Sequence, residues 1–303
     1  MYDLISIGAI GIDFYFQGES LTVDEGRFQL AYGGKYFVDH FKESLGGGGA
    51  NVAIGVQKYG FKTALLAKIA QGVFTDLITR KLKLAGVDHR LCQYDEDYSN
   101  ISCILLGPKG ERSIINYRTP HQHLFKENTD LQVLEHSKAV YLGNLSDVSL
   151  TDKEHLLRFV KKNDILTFVN LGVQDARRKK DQLEEFLSPV DVLIINGHEF
   201  ADIAKIDYND LNFKKDIVKV YAPYLLEKIV IVTEGEKGSY GYFNGSLFYQ
   251  EALKPQRIVD TTGAGDGYTA GFIASYLRYK NLPHAMKVGA EMAKEILGKV
   301  GAN

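Results

Sequence analysis

From Ala139 to Thr233 short apolar runs alternate with amphipathic segments, and this alternation constrains the fold more than any other feature of the chain. Ala139 to Leu142, Ile165 to Asn170, Val192 to Ile195 and Ile229 to Thr233 read as strands with little polar alternation, as expected where both faces are covered. Asp152 to Lys161 and Lys179 to Leu187 read as helices between them. The implied class is α/β, a mostly parallel sheet with helices on both faces. Asp3 to Ala9 and Thr63 to Lys68 add strands of the same covered kind. Polar residues recur at the strand ends, as in Asn196-Gly197-His198-Glu199 and Thr233 to Gly238, where an open α/β sheet keeps its ligand crevice.

With 303 residues the chain can bury a large core as one domain or two. A net charge of −2 argues against a nucleic-acid surface. The densest basic run, Arg177-Arg178-Lys179-Lys180, is flanked by Asp175 and Asp181 and reads as a solvated helix start. Cys92 and Cys103 form neither a disulfide framework nor a metal-ligand pattern. There is no signal-like leader and no apolar run of membrane-spanning length, so the expectation is a soluble cytoplasmic protein without nucleic-acid or membrane partners.

Two stretches depart from the strand–helix rhythm. Phe14 to Lys42 carries alternating aromatics (Phe14, Phe16, Phe28, Tyr32) and turn glycines; Ile101 to Leu106, a turn at Gly107 to Gly110, and Arg112 to Tyr117 read as a hairpin. Two β excursions from one α/β body can meet as a lid, which excludes water from a reactive phosphate.

Glycine-rich segments stand beside these excursions. Asp260-Thr261-Thr262-Gly263-Ala264-Gly265-Asp266-Gly267 follows a short β-rich run, Arg257 to Val259, and opens a helical pattern. Backbone N–H groups at such a start converge on an anion, and Asp266 in the first turn suits a base that takes a proton from an attacking hydroxyl. On its own the stretch is equally a glycine-rich turn with a carboxylate at a helix start. Gly46-Gly47-Gly48-Gly49-Ala50-Asn51 also runs into a helix, and Asn51 can bind a sugar hydroxyl. Asp13 follows the first strand, placed either to hold substrate or to cap a turn.

Other matches fail. Gly55 to Thr63 has one residue too many for a Walker loop and closes a helix; Gly265 to Ala270 fits a loose dinucleotide pattern but lacks the downstream acid. His121 and His123 have no obvious third zinc ligand.

In these motifs the chain resembles the ribokinase (PfkB-type) carbohydrate kinase family over nearly its full length. Gly46 to Asn51 is similar to the family's N-terminal glycine signature, and Asp260 to Asp266 to its C-terminal signature. Asn196-x-x-Glu199 and Thr233-x-Gly235-x-x-Gly238 match two further elements in the family's order. The resemblance implies a three-layer α/β/α body with a mostly parallel central sheet and a small β lid. It also implies one domain over 1–303, with lid segments at about 14–42 and 100–119.

It further implies an ATP-dependent sugar kinase with Asp266 as general base and the N–H groups at Gly263, Ala264 and Gly265 holding the transferring phosphoryl group. Asp13, Gly47, Gly48 and Asn51 would bind the sugar, with Asn116 or Arg118 at its far side. Thr233, Gly235 and Gly238 would contact the nucleotide; Asn196 and Glu199 would organise Mg²⁺ through water. Asp260 and Thr262 fall where many relatives bind a monovalent cation such as K⁺, and lids in the family frequently pair into homodimers. Ala290 stands where relatives often carry an Asn near the adenine. An adenosine-like nucleoside kinase, with Phe14, Phe16, Tyr32 and Phe37 stacking on a base, is the alternative. A sugar-phosphate kinase and a catalytically silent sugar sensor follow.

Overall fold

The computed structural model describes residues 1–107, 111–119 and 131–303. The turn residues Pro108 to Gly110, and Pro120, His121 and His123, lie outside them.

Eight strands form the central sheet in the order Ser246–Gln250, Ser239–Phe243, Ile229–Thr233, Val192–Asn196, Leu166–Val169, Ala139–Leu142, Leu4–Ile7, Thr63–Leu66. From Ile229–Thr233 to Thr63–Leu66 every pairing is parallel, and the hairpin Ser239–Gln250 closes the other edge antiparallel. Alternation within each strand sends neighbouring apolar side chains to opposite faces. Ile5, Val140, Leu193 and Val230 enter one core with Leu156 and Phe186 from the helices Leu150–Lys162 and Lys180–Leu187. Leu4, Tyr141, Ile194 and Ile231 enter the other with Val52, Phe272 and Met286 from the helices Gly48–Gln57, Ala264–Tyr279 and Leu282–Leu297. Two cores on one sheet make the three layers, which is why the parallel strands carry apolar side chains on both faces.

The chain leaves Leu4–Ile7 toward Thr63–Leu66 on one side and later returns to Ala139–Leu142 on the other. Strand order reverses there, and a crevice opens beyond the carboxyl ends at such a point. A second sheet, ordered Arg112–Arg118, Asn100–Leu106, Gly11–Gln17, His40–Gly46, stands beside this crevice.

One expected strand is absent. Arg257 to Val259 is irregular: its Val259 N–H donates to the Leu297 carbonyl at 2.8 Å and not to a neighbouring strand. The cradle helix therefore starts from a loop.

Candidate active site

Two glycine-led helices meet at the crevice. The Asn51 Nδ2 of the helix Gly48–Gln57 donates to Asp266 Oδ2 of the helix Ala264–Tyr279 at 2.7 Å. Their approach needs small residues: a Cβ on Gly48 would lie 3.2 Å from Asp266 Oδ1, and one on Gly49 2.6 Å from Gly8 backbone. Gly263, the residue preceding the second helix, has φ +77° and no side chain to cap it, so the first-turn N–H groups have no side-chain partner. Those groups lie beside Asp266, where an anion could accept from them. Burial raises the Asp266 carboxyl above the ordinary aspartate range, and the Asn51 N–H lowers it in part. The arrangement sets a buried carboxylate in the same first turn as those N–H groups.

The register of the second sheet places the acceptor side. Asp13 is directly opposite Ser44 on one neighbouring strand and Ser102 on the other, and Ser102 is opposite Asn116. Residues directly opposite share a face, so Ser44, Asp13, Ser102 and Asn116 form one polar row across four strands. Asp13 is 8% exposed; burial pushes its carboxyl up, the Ser102 hydroxyl holds it down, and the charge of Asp260 raises it further. Asn116 and Arg118 stand exposed toward the row's outer end. Phe14 and Phe16 point to the other face, where Phe14 packs on Phe74 at 5.6 Å and Phe16 on Phe41 at 5.3 Å. The aromatic stack expected for a base therefore backs onto the polar row, and Tyr32 and Phe37 are fully exposed outside it.

Thr233, Gly235, Gly238, Ala264, Gly265 and Ala290 line a cavity of about 370 Å³. Gly238, at φ +92°, leaves room for the Gln250 carbonyl, which a Cβ would meet at 2.2 Å. Asn196 is opposite Thr233 in the sheet, so the two motifs are neighbours. Asn196 Oδ1 accepts from the Glu199 N–H and Glu199 Oε2 from the Asn196 N–H, each at 2.9 Å, a capping box at the helix Gly197–Ala204. Glu199 is 8% exposed, and burial pushes its carboxyl up to about 7. Neither Asn196 nor Glu199 bonds Asp266 among the described residues, and neither lines the cavity beside Thr233.

Asp260 is fully buried and organises the loop before the cradle. Its Oδ1 accepts from the Thr262 N–H at 2.9 Å and hydroxyl at 2.7 Å, and its Oδ2 from the Gly301 N–H at 3.1 Å. No group of three or more His, Cys, Asp or Glu is placed to hold a metal among the described residues. A cation that keeps its water and shares nucleotide phosphates needs only one or two carboxylates, so Glu199 fits Mg²⁺. Asp260, buried and without an ion pair among the described residues, fits a dehydrated monovalent cation.

The model of the pfkB family carbohydrate kinases matches residues 1–303. The chain belongs to that family. Its chemistry is phosphoryl transfer. The chain is 24% identical to a nucleoside kinase of Methanocaldococcus jannaschii, covering 99% of this chain and 92% of the relative. It is 22% identical to a 5-dehydro-2-deoxygluconokinase of Clostridium botulinum, over 96% of this chain and 86% of the relative. The structure of Arabidopsis thaliana ribokinase complexed with ribose and ATP superposes with a TM-score of 0.80 at 21% identity, covering 99% of this chain and 94% of that one. In this pfkB kinase no helix among the described residues is long and apolar enough to cross a membrane.

Three residues at the kinase's crevice escape a reading of the sequence: Ser44, Ser102 and Asn303. The serines could have been found from strand alternation had the pairing register been known. Asn303, whose Nδ2 donates to Asn51 Oδ1 at 3.0 Å, carries no local signal.

Proposed function

We propose that this kinase transfers the γ-phosphoryl group of ATP to a primary hydroxyl of a carbohydrate. The observation that carries the reading is the Asn51–Asp266 hydrogen bond, which fixes a partly desolvated carboxylate beside an uncapped helix start. Asp266 accepts the hydroxyl proton as the hydroxyl oxygen bonds to the γ-phosphorus. The bond from that phosphorus to the β–γ bridging oxygen breaks, and ADP leaves. N–H groups at Gly263, Ala264 and Gly265 donate to the transferring oxygens. Magnesium, held through water by Glu199, would neutralise charge on the nucleotide phosphates. Thr233, Gly235 and Gly238 bind the nucleotide; Asp260 and Thr262 accommodate a monovalent cation such as K⁺.

Asp13, Gly47, Gly48 and Asn51 hold the acceptor, with Asn116 and Arg118 at its edge. A row of carboxylate, hydroxyl and amide groups suits a polyhydroxylated substrate, and the aromatic residues on the opposite face cannot stack on a base bound to Asp13. This favours a sugar over a nucleoside. The second reading, a nucleoside kinase, is supported by the similarity to the M. jannaschii enzyme. The apolar face of the lid, with Ile115 and Tyr117 exposed at 61% and 64%, supports a homodimer formed lid to lid.

ADP formation across pentoses, hexoses, keto-deoxy sugar acids and nucleosides tests the assignment. Turnover with a sugar or sugar acid is expected. Preference for a nucleoside would replace it with the second reading. No turnover, combined with thermal stabilisation by a sugar, would make the chain a binder.

A further inference from the structure

An amide side chain has a donor end and an acceptor end, and only one orientation of Asn51 serves Asp266. The carboxylate accepts and does not donate, so the Asn51 NH₂ must face it. The other end of that amide receives the Asn303 Nδ2 at 3.0 Å, and the same Nδ2 donates to the Leu45 carbonyl at 2.9 Å. Turning Asn303 over would set its oxygen against two acceptors, so its own orientation is locked as well. Its Oδ1 is buried and has no hydrogen-bond partner among the described residues, the cost of directing the NH₂ at Asn51.

The segment that carries Asn303 is held from two sides. Lys42 Nζ, on the strand His40–Gly46, donates to the Val300 carbonyl at 2.6 Å, and the Gly301 N–H donates to Asp260. A Cβ on Gly263 would meet Ala302 Cβ at 2.2 Å, so the segment lies directly on the cradle loop. Residue 303 is thus fixed relative to the lid strand and to the anion site at once.

We infer that Asn303 is a positioning residue for phosphoryl transfer, setting the Asn51 amide with its NH₂ toward Asp266 and its oxygen away from it. This rests on Asp266 being the base. Asn303→Asp is nearly the same size but presents only acceptors to Asn51, so it reverses the amide and turns an oxygen on Asp266. Asn303→Ala removes the orienting donor without supplying an opposing acceptor.

The test is steady-state kinetics on the full chain with ATP and the acceptor found by the substrate panel, alongside thermal melting. Asn303→Asp should lower kcat on the order of 10²-fold with ATP KM unchanged, and by more than Asn303→Ala does. In an Asn51→Ala background, where no amide remains to orient, Asn303→Asp should add little further loss. A merely structural role gives losses that follow melting temperature and persist undiminished without Asn51, and that result overturns the inference. So does an Asn303→Asp variant as active as the parent. Asp266→Asn run in parallel separates the two readings: full turnover there removes the base assignment, whereas an inactive Asp266→Asn beside a normal Asn303→Asp removes only this inference. The Asn51 side-chain ¹⁵NH₂ resonances, assigned by their loss in Asn51→Ala, report the orientation without turnover. Resonances unmoved by Asn303→Asp also overturn it.

Discussion

Asp266 and Glu199 are both held in surroundings that favour the protonated acid, and both have burial as the main cause. For Asp266→Asn, kcat should fall by about 10²–10⁴-fold or more. Its melting temperature at neutral pH should be no lower than the parent's, because a costly buried charge has been removed. Activity and stability read side by side check this. For Glu199 the sign follows from linkage. Its folded carboxyl titrates at about 7 against 4.5 unfolded, so the folded chain binds more protons between those values. That contribution to stability is present at low pH and is lost as pH rises through the interval. In the ligand-free protein, Glu199→Gln should therefore gain on the parent in melting temperature between about pH 5 and about pH 8. Gln keeps an oxygen for the Asn196 N–H, so the capping box survives the change. A difference in melting temperature that is flat with pH would contradict this account.

At the scale of elements, the strand-to-helix junction at Gly47 is the most demanding turn. Its φ is +93°, and a Cβ there would lie 2.5 Å from the Ala9 carbonyl oxygen. Gly47→Ala should cost about 1–3 kcal/mol in urea unfolding and should weaken acceptor binding, since the helix carrying Asn51 must shift. Much at this scale was legible. Val192 to Ile195 and Ile229 to Val232 are apolar at every position because both faces are covered, and that continuity is visible without a structure. Arg257 to Val259 was misread for the opposite reason. Ile258 and Val259 favour extended backbone, but the Val259 N–H is taken by the Leu297 carbonyl of the last helix, a partner that only the folded molecule supplies. The lid aromatics were recognised as strand residues while their face was not. Direction depends on register with strands far along the chain, and the same dependence hid Ser44 and Ser102.

At the scale of the molecule, the order of the glycine and polar motifs placed the crevice, because each sits at a strand or helix end where an α/β sheet opens. The partner of Asn51 at residue 303 could not be read, since nothing near Val300 to Asn303 distinguishes a clamp from a surface tail. The lid's apolar face belongs to this scale too. If lids pair, Ile115→Lys should convert a dimer to a monomer in sedimentation at unchanged fold, and an unaltered sedimentation coefficient would refute the pairing. The hydrogen bonds that complete the crevice join residues 215 and 252 positions apart. Such contacts cannot form in a fragment that lacks either partner. A chain cut just before Asn303 should therefore keep the glycine loops and the carboxylate yet lose the amide that meets Asn51, so turnover should fail before the fold does.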